Sequence, residues 1–138
     1  MKRDVETALE QMREGLPGHT IQTMEDSDGG AYVIVEGLDI GTCFEPSVSW
    51  IGFHVTWSYP ESDVYPHFID PSVRYVGIAS APVDHPDGRL PAAMSRGQVM
   101  PGFDRSAIQV SRRSNRWKPA SDTALHKLLR IMSFLESR

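Results

Sequence analysis

Trp50-Ile51-Gly52-Phe53-His54-Val55-Thr56-Trp57 decides how this chain folds. In an extended chain successive side chains point to opposite faces. Ile51, Phe53, Val55 and Trp57 therefore share one face, and Trp50, Gly52, His54 and Thr56 share the other. A strand with so apolar a face needs a layer packed against it, which predicts a sheet covered on one side.

Strand signals continue on both sides of this stretch. Upstream, Ala31 to Glu36 is β-rich and Thr20 to Glu25 alternates, with the turn signal Asp26-Ser27-Asp28-Gly29-Gly30 between them. A looser stretch runs from Gly37 to Ser49. Downstream, Ser72 to Ile78 reads as a fourth strand, and Ala79 to Arg105, rich in Gly and Pro, as irregular. Helical spacing bounds the chain at both ends. Val5, Ala8, Leu9 and Met12 lie at i, i+3, i+4 and i+7, with Asp4 as the expected cap and Gly15, Pro17 and Gly18 as the stop. Asp122 to Glu136 repeats the pattern, placing Leu125, Leu128, Leu129, Met132 and Leu135 on the expected buried side. The expected fold is α+β over residues 1–138. It is one domain with an N-terminal helix, a four-stranded antiparallel meander, an irregular segment and a C-terminal helix.

The 138 residues suit a single core. A hydrophobic share of 40% with 23% charged residues is that of a globular chain. Net charge −4 and pI ≈ 5.7 give no general attraction to nucleic acid or anionic membranes. No segment reaches the ~18 consecutive apolar residues of a membrane span, and Met1 to Glu6 has no signal-peptide character. A single cysteine leaves no internal disulfide, in keeping with a cytoplasmic location.

Three segments carry a family resemblance. Phe53 to Pro60, then Val64-Tyr65-Pro66 and Pro71-Ser72-Val73-Arg74-Tyr75, form the first. Asp84-His85-Pro86-Asp87 is the second. The third is Ile108-Gln109-Val110-Ser111, followed eight residues after Gln109 by Trp117-Lys118-Pro119-Ala120 and a Leu/Ile-rich helix. Together they resemble the ubiquitin-conjugating enzymes. The resemblance places Gln109 at the catalytic cysteine, Asp87 at the asparagine that polarises the thioester, and His85 at the histidine of the His-Pro-Asn turn. Gln forms no thioester, and a carboxylate repels a developing oxyanion. The resemblance therefore implies a non-catalytic module, reduced at its C-terminus. Its expected partners are a ubiquitin-like protein, its activating enzyme, or both, in a bacterial pathway.

Cys43, Glu45, His54 and His67 carry the runner-up reading. Thiolate, carboxylate and imidazole are zinc ligands, and the set resembles a predicted Cys/Glu/His/His metal-binding domain of the same conjugation operons. The expected cofactor is thus none, or Zn²⁺. The alternative is a packed Cys43 with solvated histidines. A third reading has Cys43 or a serine near Gln109 (Ser106, Ser111 or Ser114) carry an ester, which requires a base. Arg112, Arg113 and Arg116 form a basic stretch suited to an acidic partner surface or carboxylate tail. Trp117 is the expected anchor beneath the last helix, and His19 and His126 read as surface residues.

Overall fold

Helix α1 (Arg3–Gly15) buries Val5, Ala8, Leu9 and Met12, the stripe its spacing predicts. It begins one residue before Asp4. The N-cap is Lys2, and Asp4 and Glu6 lie in the first turn, where carboxylates favour the positive end of the helix dipole. A computed structural model of the chain describes residues 1–77 and 90–138.

Strands β1 (Ile21–Glu25) and β2 (Ala31–Asp39) pair antiparallel. Between them Asp26 Oδ1 accepts the backbone N–H groups of Asp28 and Gly30 at 2.8 Å each. Strand β4 (Val48–Val55) lies beside β2, with Val33 opposite Phe53. The described chain is α+β, with an antiparallel sheet and two helices, as the sequence predicts.

The sheet is wider than four strands. Its order is β1-β2-β4-β5-β8-β7, completed by β5 (His67–Ile69), β7 (Met94–Met100) and β8 (Arg105–Val110). The fourth position belongs to His67–Ile69 because Asp70 Oδ1 accepts both the backbone N–H and the hydroxyl of Ser72, turning the chain away. Among the described residues of the expected fourth strand, only Arg74–Tyr75 (β6) forms a strand, pairing with β3 (Phe44–Glu45) in a separate two-stranded sheet. The described part of the expected irregular segment contains β7 and the hairpin turn into β8. Strand β7 is a half-polar edge strand, irregular between Ser95 and Gln98, where Gly97 has φ 73°.

Both helices and one sheet face enclose the main core, which includes Ile51, Phe53, Val55, Ile69, Ile108 and Val110. The opposite face carries a smaller cluster of Ile34, Trp50, Phe68, Met100 and Ala107. A Cβ on Gly52 would run into Met100 Sδ, so the β7–β8 hairpin lies directly on this face.

Two core assignments change. Trp57 is 61% exposed because β4 ends at Val55 and the chain turns there. Helix α2 (Ala124–Glu136), capped by Thr123 Oγ1 accepting His126 N–H, buries Ala124, Lys127, Leu128, Ile131, Phe134 and Leu135. Leu129 is 43% exposed, whereas Lys127 is only 2% exposed. The helix is rotated relative to its purely apolar stripe because Lys127 finds partners inside.

Candidate functional site

Beyond β8 the chain runs from Ser111 to Ser121 without regular structure and returns to start α2. Trp117 Nε1–H donates to the Pro60 carbonyl at 2.7 Å, fastening this segment to the turn after β4. Between the segment and α2 lies an open cleft of about 940 Å³. Arg112, Arg113, Arg116, Lys118, Arg130 and Arg138 line it, with Leu129, Ile131 and Phe134 as its apolar side.

Aromatic rings and one carboxylate hold four of these cations. Arg112 and Arg138 lie 4.4 and 4.1 Å from the Phe134 ring centroid, and Arg113 lies 4.1 Å from that of Tyr65. Asp122 is largely committed: Oδ1 accepts from Arg130 at 2.7 Å and Oδ2 from the Lys118 backbone N–H at 2.8 Å. These bonds, that to Arg130 foremost, hold its carboxyl below the usual range.

A buried polar group forms the floor. Lys127 Nζ donates to Asp63 Oδ2 at 3.0 Å and to Ser114 Oγ at 2.7 Å. Ser114 donates its hydroxyl to Asp63 Oδ1 at 3.1 Å and its backbone N–H to Asp63 Oδ2 at 2.8 Å. Burial pulls the Lys127 pKa down; Asp63 opposes this, while Arg130 and Arg112 add to it. Ser114 thus commits its proton to Asp63 and accepts a bond from an ammonium. That arrangement fixes the loop and lowers the electron density a nucleophile needs.

Below this group, His67 is fully buried against Phe53, and neither ring nitrogen has a hydrogen-bond partner. Burial first, then the Lys127 charge, lowers its pKa to about 3, with Asp63 acting the other way. His67 is a neutral imidazole in the core.

The structure does not bring Cys43, Glu45, His54 and His67 together. Cys43 is buried, with Sγ 3.6 Å from the Glu136 carbonyl at the end of α2. Glu45 is exposed and paired with Arg74 at 3.2 Å. His54 stacks on Tyr32 and bonds Asp26 at 2.6 Å, on the face opposite the helices. His67 faces α2, because it pairs with Phe53 and not with Gly52. Among the described residues no group of three or more His, Cys, Asp or Glu could hold a metal ion.

Gln109 sits within β8, paired with Phe68 and Ser95, and its side-chain amide donates to Ser111 Oγ at 2.9 Å. The expected four-stranded layout has no strand here, so β8 adds to it. His85 and Asp87 lie outside the described residues. Arg112, Arg113 and Arg116 all line the cleft. Sequence reasoning missed Lys118, Arg130 and Arg138 as their companions and Lys127-Asp63 as the floor. The available signal was the α2 spacing, in which Lys127 stands three residues after Ala124 and four before Ile131.

No family model matches the chain, and no curated protein or solved structure matches it. Among the described residues no helix is long and apolar enough to cross a membrane.

Proposed function

We propose that this chain is a non-catalytic, conjugating-enzyme-like module that binds an acidic segment of a ubiquitin-like protein or of its activating machinery. The observation that carries the binding site is the cleft, lined by seven cationic side chains, Lys127 in the floor among them, in a chain of net charge −4. The sequence resemblance alone supports the pathway. An acidic segment would meet guanidiniums whose forks suit carboxylates, and an apolar side chain on it would cover Leu129. Gln109 has no nucleophilic atom of the required kind, and Cys43 is packed in the core, which favours binding over acyl transfer.

The test mixes the chain with an activating enzyme, ATP and a cognate ubiquitin-like protein. A non-covalent complex should form and be dissolved by Arg112→Glu with Arg116→Glu. No adduct sensitive to thiol or hydroxylamine should appear on this chain. An adduct, or a complex indifferent to both charge reversals, would overturn the reading.

A further inference from the structure

The pair of cations on Phe134 has a narrower use than a generally basic cleft. Arg112 and Arg138 both stand over one ring, at 4.4 and 4.1 Å from its centroid. Arg138 is locked in place: Nε donates to the Phe134 carbonyl at 3.0 Å, Nη2 donates to Ser137 Oγ at 3.0 Å, and its own carbonyl accepts from Tyr75 at 2.8 Å. Arg112 enters from the other wall, on the segment anchored by Ser114 and Trp117. Among the described residues neither guanidinium has a carboxylate partner. The ring's negative face offsets part of each charge, but two cations on one ring still repel. A dianion bound at the ring within reach of both would offset the two charges.

We propose that Arg112 and Arg138, braced on Phe134, form a clamp for a phosphoryl group carried on the acidic segment that enters the cleft. This rests on the cleft being the binding site. A phosphoryl monoester carries roughly −1.5 to −2 charge and three acceptor oxygens, enough to serve two guanidinium forks, whereas a carboxylate brings one charge and two oxygens. The carrier is a polypeptide and not a nucleic acid on two grounds. The aromatic face that could stack a base is occupied by the guanidiniums, and exposed Leu129 beside it offers an apolar contact.

The experiment measures fluorescence anisotropy with three labelled probes at one salt concentration. They are an acidic peptide containing leucine and serine, the same peptide with phosphoserine, and a single-stranded oligonucleotide. The phosphopeptide should bind about tenfold tighter than its unphosphorylated form. Arg112→Lys and Arg138→Lys keep the charge but lose the fork. Each should bring the ratio of phosphopeptide to plain-peptide affinity, both measured on the same variant, close to one. Inorganic phosphate should compete, and chloride at equal ionic strength should not. Equal affinity for the two peptides would overturn the clamp and leave the cleft reading standing, as would an advantage that survives both lysine variants. Failure of both peptides to bind would remove both readings. Tighter binding of the oligonucleotide than of the phosphopeptide would replace the polypeptide carrier with a nucleic acid.

Discussion

Two side chains under the cleft set the demands at the residue scale. Lys127 stays buried because Asp63 and Ser114 meet it. Removing the counter-charge with Asp63→Asn leaves an ammonium without compensation and should cost about 3–5 kcal/mol of unfolding free energy in urea titrations. His67 gives a pH signature. Its folded pKa is about 3 against 6.5 for the free side chain, so below pH 6.5 the unfolded chain binds a proton that the folded chain refuses. Its contribution is complete above pH 6.5 and is lost as pH falls from there toward 3, at up to about 1.4 kcal/mol per pH unit. Asp26, Asp70 and Asp122, whose carboxyls are lowered from 3.8, act only at the acid end of this window and below it, leaving the range from pH 6.5 to 5 to His67. His67→Leu should flatten stability between pH 6.5 and 5 while leaving the neutral-pH value equal or higher, because two orphaned nitrogens disappear. Identical pH slopes in both proteins would mean that the imidazole is not held neutral. None of this was legible in the sequence, since Asp63 lies 64 residues from Lys127 and no local pattern links them. Arg112, Arg113 and Arg116 were legible because three cations within five residues stand out in an acidic chain.

Sequence periodicity gave the helices and central strands but lost the edge of the sheet at the scale of elements. The strand Val48–Val55 was readable because Ile51, Phe53 and Val55 make most of its helix-facing side apolar. Met94–Met100 was not. Exposed Ser95, Arg96 and Val99 give it no alternation, and the run of Gly and Pro before it reads as loop. Its place depends on pairing with β8 and on Met100 filling the space over Gly52, which are long-range facts. The rotation of α2 is the sharpest test at this scale. Leu128→Ala should cost about 2–5 kcal/mol. Leu129→Ala should stay within about 0.5 kcal/mol. Thermal and urea unfolding of the two variants checks this, and similar losses at both positions would restore the purely apolar stripe.

Charge is separated across the whole molecule. On α1 exposed Asp4, Glu6, Glu10 and Glu14 outnumber Arg3 and Arg13, whereas seven of the chain's 14 Lys and Arg line the cleft between the 111–121 segment and α2. A net charge of −4 hides this separation, and only the fold reveals it. Binding of an acidic ligand should therefore weaken with salt, most steeply where the ionic strength brings the Debye length to about 10 Å or less. Affinity for the acidic peptide measured from 50 to 500 mM NaCl (about 14 to 4 Å) should fall steadily in the wild type. The fall should be shallower in Arg116→Gln.

The central claim is that the cleft is where this chain meets its partner, and NMR mapping tests it most directly. The leucine-bearing acidic peptide is titrated into uniformly labelled protein and the backbone amide shifts are followed. The account predicts saturable shifts confined to the 111–118 segment and to the exposed side of α2 around Leu129, Arg130, Ser133 and Arg138, with β1 and α1 unmoved. Shifts centred on the β1–β2 edge or on the outer sheet face around Tyr32 and His54 would contradict it, as would no saturable shift at low salt.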